Sequence, residues 1–402
     1  MNKEHIQQLT DNVFTETQTI IDKFGPRLAG TKSSLDTANY LFEHYKEFAD
    51  DMKTEDFHIH KGAFFGWIKI LVINYLLSVL AIFLKFYWVG ILLSTTSILI
   101  LYFQFIRYYA VIDFLFPKKR ARNVYGMIEP SDEVRRQIIV SGHHDSAPIF
   151  NFFVHQPKLY ALRINGGIGL VILTFVASII LTIYAPNLLH YALFGVLALG
   201  FLLVGQMWFF ANKKATPGAG DNLVATMIAF EIGKYFYELK KANKGLKHTR
   251  LIFLSFDAEE EGLRGARAFV KNNKAMLEET PTYLLNADCI YDEKELFFLT
   301  SDINNTVKLS KPLANELIEV SKNLDIKTYA QDITVLTGGT DAGEFGKINT
   351  HATTLIGMPW TNDNRSHAYH TPKDTLDNVS KQAVYDALNI FTTYIHKKDL
   401  DN

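Results

Sequence analysis

The first polar rhythm in the chain is helical. Over residues 4–24, Ile6, Leu9, Val13, Phe14, Ile20 and Ile21 recur at roughly helical spacing, and Gly25-Pro26 stops the run. A second amphipathic helix is predicted over about 34–50, opened by Ser33 or Ser34, and Thr54–His60 alternates as a short strand. The rhythm then disappears. Residues 63–84 carry no charge but Lys69; Lys85 follows, and 86–106 are uncharged up to Arg107. Residues 164–185 and 188–211 form two further uncharged runs joined by Pro186-Asn187. Each run is near or above the roughly 20 residues that span a bilayer. Trp, Tyr, Lys and Arg gather at their ends, as at membrane interfaces. The pattern predicts four spanning helices in two hairpins, with Lys69 snorkelling or paired.

Outside the hairpins strands and helices alternate. NVYGMIE (123–129), RRQIIVSG (135–142), 249–256, YLLNAD (283–288), ELFFLT (295–300) and ATTLIG (352–357) read as strands. Helices are predicted at 222–241, from about 262, near 308–323 and at 380–397. This is an α/β fold: a mixed, mostly parallel sheet flanked by helices, plus four transmembrane helices inserted as two hairpins. The polar domain falls in three pieces, 1–61, 118–150 and 214–402, with membrane hairpins at 62–117 and 151–213.

Charge and composition add orientation and limits. Lys61, Arg107, Lys118, Lys119, Arg120, Arg122, Lys158, Arg163, Lys213 and Lys214 lie on the polar domain's side of the hairpins, against only Lys85 at the tips. The positive-inside bias therefore predicts a multi-pass plasma-membrane protein whose polar domain faces the cytoplasm. The N-terminus has no basic–apolar–small pattern, so no cleavable signal peptide is expected. A net charge of −1 gives no indication of a nucleic-acid partner. The single cysteine, Cys289, excludes intramolecular disulfides and thiolate-rich metal modules.

The chemistry centres on residues 251–262. The apolar run Leu251–Phe256 ends in Asp257-Ala258-Glu259-Glu260-Glu261 and Gly262. A buried strand ending this way delivers carboxylates to the sheet edge where α/β proteins bind ligands. Taken alone, the run also suits an acidic helix start. Other strand ends supply partners: His143-His144-Asp145 after 135–142, Asp221 before the helix at 222, Asp288 after YLLNA, and His367 and His370 in the loop after 357. Imidazole and carboxylate without thiolate suit zinc, or manganese or cobalt. Two divalent cations would balance Asp221, Glu260, Asp288 and one hydroxide, with His143 and His370 neutral. Glu259 is then left free as a base, and Asp145 suits an acceptor that orients the His143 ring.

Five motifs stand in a familiar order: His143-His144-Asp145-Ser146, Gly218-Ala219-Gly220-Asp221-Asn222, Glu259 to Gly265, Asn286-Ala287-Asp288 and Tyr369 to Thr375. Together with FGPRLAGT (24–31) and GGTDAGEF (338–345), they resemble metallopeptidase family 28, the co-catalytic zinc exopeptidases that include bacterial leucyl aminopeptidase and aminopeptidase Y. The resemblance implies the zinc exopeptidase fold and a site with two zinc ions. In it His143 and Glu260 serve different ions, Asp221 bridges, and Asp288 and His370 complete the set. It also implies Glu259 as general base and a cis peptide bond between Asp221 and Asn222. Among the other candidates, His144 reads as a packing residue, His367 as either solvent-exposed or standing behind the metal ligands, and Glu261 as a helix-start charge. Asp341 reads as a helix N-cap, although with Glu344 it could line a cleft, and Asp374 and Asp377 as first-turn charges of the last helix.

Two features shape the functional expectation. His143 and Asp221 are 78 residues apart (221 − 143), because a membrane hairpin separates them. That places the expected metals beside the bilayer and suggests a membrane-associated peptide substrate. The primary expectation is a membrane-embedded aminopeptidase. The alternatives are a glutaminyl-cyclase-like acyltransferase and a non-catalytic membrane receptor or complex subunit on the same fold. The retained ligand set favours hydrolysis.

Overall fold

A computed structural model of the chain describes residues 3–361 and 364–401. It resolves into two compact units: residues 1–61, 118–148 and 214–402 form the first, and 62–117 and 149–213 the second. The elements used below are α1 (Lys3–Phe24), α2 (Lys32–Tyr45), β1 (Asp51–His60), α3 (Ala63–Phe83), α4 (Tyr87–Ile100), β2 (Lys118–Ile128) and β3 (Arg136–His143). Next come α5 (Tyr160–Ile183), α6 (Asn187–Val204), α7 (Val224–Lys241), β4 (Thr249–Phe256), α8 (Arg264–Asn272) and β5 (Thr282–Ile290). The chain closes with β6 (Leu296–Leu299), α9 (Lys311–Asn323), β7 (Tyr329–Gln331), α10 (Ala342–Gly346), β8 (His351–Gly357) and α11 (Lys381–Leu400).

In the first unit, eight strands form one sheet in the order β1-β2-β4-β3-β5-β8-β6-β7. Its centre is parallel: Ile139 of β3 stands between Ile252 of β4 and Leu284 of β5, and β8 continues alongside β5. Strand β2 runs antiparallel to β1 and β4, and β6 antiparallel to β8, so the sheet is mixed and mostly parallel. Every position of β3 is buried, which is why Ile138, Ile139 and Val140 stand side by side in its sequence rather than alternating with polar residues. Helix α7 lies against β3, β4 and β5, with α1 and α11 packed on it. Its buried face contains one charge, Glu231, which accepts hydrogen bonds from Tyr45 Oη at 2.7 Å and Asn12 Nδ2 at 3.0 Å. Each large apolar side chain buried there contributes about 1.5–3 kcal/mol, and pairing Glu231 removes the penalty a lone carboxylate would carry.

Local detail departs from the pattern in places. Helix α2 is capped by Thr31, whose side chain accepts from Ser34 N, and not by Ser33 or Ser34. Strand β2 begins at Lys118, ahead of the apolar run, because its charged start pairs with β1 and Arg122 and Arg120 reach Asp56. A residue row of Lys and Arg reads as loop, yet at a sheet end its heads stay in water while the backbone completes the ladder.

The second unit is a bundle of α3, α4, α5 and α6. Four helices here are long and apolar enough to cross a membrane: Ala63–Phe83, Tyr87–Ile106, Pro157–Ile183 and Asn187–Phe209. The second ends in a wider π turn, Leu101–Ile106. Small residues allow close approach: a Cβ on Gly90 would stand 2.5 Å from Ser178 Oγ. The polar groups between helices are paired, with Tyr75 Oη donating to Leu197 O at 2.7 Å and Asn74 Nδ2 to Ser97 Oγ at 3.1 Å. Outward faces are strongly apolar, with Ile183 81%, Leu188 85% and Leu202 72% exposed.

Candidate metal centre

Because β3, β4, β5 and β8 run parallel, their C-terminal ends open on one edge, the usual ligand edge of such sheets. His143 is the last residue of β3, Asp288 lies near the end of β5, Glu259 and Glu260 follow β4, and His370 lies in the loop after β8. Asp221 sits in the irregular turn Ala219–Leu223 that leads into α7. The peptide bond after it, Asp221–Asn222, is cis, as the resemblance implies. All six residues are buried, with none more than 8% exposed.

Their ligand atoms converge. His143, Asp221 and Asp288 form one group, Asp221, Glu260 and His370 another, and His143, Glu259 and Glu260 a third, with the offered atoms in each within 4.8 Å of one another. The first two share Asp221. His143 Nε2 lies 3.3 Å from Asp221 Oδ1 and 3.8 Å from Glu259 Oε2. His370 Nε2 lies 3.0 Å from Asp221 Oδ2 and 3.4 Å from Glu260 Oε1.

Asp145 organises both sides of this cluster. Its carboxylate accepts the backbone N–H of Glu259 at 3.1 Å and of Glu260 at 3.2 Å. Its Oδ1 is also 3.3 Å, and its carbonyl oxygen 3.1 Å, from His143 Nδ1. With Nδ1 occupied in this way, the Nε2 lone pair faces the cluster.

The electrostatics are those of a site that wants cations. Burial pushes the Glu259 carboxyl well above its usual range; His143 opposes this, and the charges of Glu260, Asp288 and Asp341 add to it. Burial likewise carries Asp288 up to about 7, against the pull of His143. Burial would also raise Asp221, but its contacts with His143 and His370 outweigh that and hold it low. His143 Nε2, Glu260 Oε1 and Asp288 Oδ1 are buried and make no hydrogen bond among the described residues. Unbonded donor atoms among crowded carboxylates are destabilising alone and fit divalent metal ions held by oxygen and nitrogen.

Two residues have roles that the sequence pattern did not reveal. Arg27 is fully buried and joins three segments: Nε donates to His144 O at 2.8 Å, Nη1 to Pro217 O at 3.0 Å and Nη2 to Gly218 O at 2.9 Å. Burial lowers its pKa to about 10, opposed by Asp374 and Asp145. Asp374, read as a first-turn charge, precedes α11 by several residues. It accepts from Gly220 N at 2.8 Å and Tyr291 Oη at 3.0 Å, bracing the turn that carries Asp221.

The lesser candidates sort as follows. Asp341 occupies the N-cap position of α10 but makes no capping bond; its carboxylate is fully buried, with neither oxygen hydrogen-bonded. His144 is a core residue bonded to Ser255 Oγ at 2.8 Å, and His367 is exposed, bonded to Asn378 Oδ1 at 3.1 Å. Glu344 pairs with Arg267 and Lys347, both at 2.8 Å.

The family model for peptidase family M28 matches residues 204–395. Over that segment the chain is similar to peptidase family M28. The matched segment contains Asp221, Glu259, Glu260, Asp288 and His370, whereas His143 and Asp145 precede it and join the site through the fold. No curated protein matches the sequence. Among solved structures, a zinc aminopeptidase from Bacillus subtilis aligns with TM-score 0.58 and 11% identity, covering 97% of this chain and 95% of that one. Glutaminyl cyclase from Bacteroides thetaiotaomicron aligns with TM-score 0.58 and 12% identity, over 96% and 97%. A Zn-dependent exopeptidase from Parabacteroides distasonis aligns with TM-score 0.55 and 13% identity, over 98% and 97%. At these identities the likeness is one of fold.

Proposed function

We propose that this chain is a peptidase of family M28, a membrane-embedded, two-zinc aminopeptidase that removes N-terminal residues from peptides. The observation that carries the reading is the pair of buried triads sharing Asp221, with Glu259 reaching into the same space. His143, Asp221, Asp288, Glu260 and His370 would hold two ions, which when bound would supply Lewis acidity to the peptide carbonyl and the attacking water. Zinc fits the donor set, and manganese or cobalt suits the same atoms. Glu259 accepts the proton of the attacking water as the C–O bond forms, then delivers it to the amide nitrogen as the C–N bond breaks. Asp145 keeps Glu259 and Glu260 in register through their backbone N–H groups and orients His143.

The four apolar helices support a multi-pass membrane protein, and the distribution of Lys and Arg supports a cytoplasmic first unit at the plasma membrane. The second membrane insertion leaves the first unit after Pro148 and re-enters at Lys214, close in sequence to Asp145 and Asp221. That connectivity supports a peptide substrate that is membrane-derived or membrane-associated.

A glutaminyl cyclase has equal fold similarity to the chain, so fold does not separate the two activities. The triad of His143, Asp221 and Asp288, added to that of Asp221, Glu260 and His370, favours hydrolysis. A peptide panel separates them. Peptides with free N-termini should release their first residue, and N-acetylated copies should stay intact. Cyclisation of N-terminal glutamine without hydrolysis would replace this reading with the cyclase, and release from the C-terminus would overturn the aminopeptidase assignment. Lipid-embedded peptides should be cut faster than soluble peptides of the same sequence; equal rates would remove the membrane-substrate part.

A further inference from the structure

Lys69 is a charge in an apolar helix. It lies six residues into α3 from Ala63, about 9 Å along the axis at 1.5 Å per residue. Its side chain is exposed, and among the described residues no carboxylate forms a salt bridge with it. Its ammonium rests 5.5 Å from the centre of the Trp208 ring. Trp208 lines a groove of about 490 Å³ between α3 and α6, together with Ile73, Leu76, Leu202 and Gly205. Ile73, Leu76 and Leu202 are 46%, 49% and 72% exposed along it, so the groove is open from the side.

We propose that this groove binds one phospholipid with an anionic headgroup, its phosphate on Lys69 beside Trp208 and one acyl chain along Ile73, Leu76 and Leu202. The inference rests on the membrane-spanning reading above. Charge argues for the headgroup: an ammonium this far into an apolar helix needs a counter-charge, and tryptophan belongs at the headgroup level. Size argues for an acyl chain over a docked helix. A helix is about 10–12 Å across, so three turns would fill roughly three to four times the groove's volume.

The test uses the full chain in vesicles, with Trp67, Trp88 and Trp360 changed to Phe so that Trp208 alone reports. Phosphatidylglycerol or phosphatidylcholine with brominated acyl chains is titrated in, and quenching of Trp208 is read. Phosphatidylglycerol should quench at about fivefold lower mole fraction, the ratio expected from one Lys near an anionic headgroup. Lys69→Gln should bring the two lipids level and Lys69→Arg should restore the preference, with excess inorganic phosphate changing neither. Equal quenching by both lipids before any change at Lys69 would overturn the site while leaving the membrane reading intact. Quenching by neither lipid would overturn both. Displacement of the brominated lipid by an equimolar apolar helical peptide would make the groove a peptide site instead. Native mass spectrometry of the unmutated protein, counting retained phosphatidylglycerol against phosphatidylcholine, gives the same decision without the tryptophan changes.

Discussion

Arg27 is a charged side chain with no access to water, and it is tolerable only because carbonyl oxygens from residues 25, 144, 217 and 218 surround it. Those segments carry or flank His143, Asp145 and Asp221, so the guanidinium holds the site's loops in register. Arg27→Met leaves these acceptors unsatisfied and should destabilise the first unit by about 3–5 kcal/mol, read as a fall in melting temperature. Asp302 presents the complementary case. It is fully buried and accepts from Thr340 N at 2.8 Å and Thr340 Oγ1 at 2.6 Å. Burial raises its pKa to about 6 from 3.8, with the Thr340 bonds opposing. The folded state therefore binds more protons than the unfolded state between those values. Its contribution is most favourable below about 4 and is lost as pH rises through about 6, by about 3 kcal/mol in all. Asp302→Asn should flatten that part of the stability–pH curve relative to wild type, measured by denaturant unfolding at several pH values.

Among the elements, the join between β3 and α7 is tight enough to test. A Cβ on Gly142 would stand 2.5 Å from Thr226 N and 2.7 Å from Ala225 C, both backbone atoms that cannot yield. Gly142→Ala should force β3 from α7, costing about 1–3 kcal/mol and moving His143 away from Asp221. A drop in both melting temperature and metal affinity would report the shift. The central strands were legible because each carries a short apolar core, such as residues 138–140 or 251–254, between polar or charged ends. The charged start of β2 and the short β7 were not, because their pairing depends on partners distant in the chain. The site shows the same division. The converging residues stand in recognisable local motifs, and their strand-end positions follow from the parallel sheet. Arg27 and Asp374 carry no local signal for their roles, since each is defined by contact with segments far away in sequence. Asp341 looked like a helix cap, yet its side chain makes no capping bond.

For the whole molecule, the reading makes the metal ions part of the fold. The buried carboxylates at residues 221, 259, 260 and 288 need counter-charge, so removing the ions should loosen the first unit. Chelation should lower its melting temperature, and added zinc should restore it, with a gain of about 2.7 kcal/mol when free metal reaches a hundred times its dissociation constant. The apolar bundle of α3 to α6 should be insensitive to the same treatment. The most direct test of the central claim pairs metal content with peptide cleavage in one preparation of wild type and Glu259→Gln. The account predicts two ions per chain in both proteins, with cleavage reduced by about 10²–10⁴-fold in the variant. A variant that cleaves like wild type, or a wild type equally active after its metal has been stripped, would contradict it.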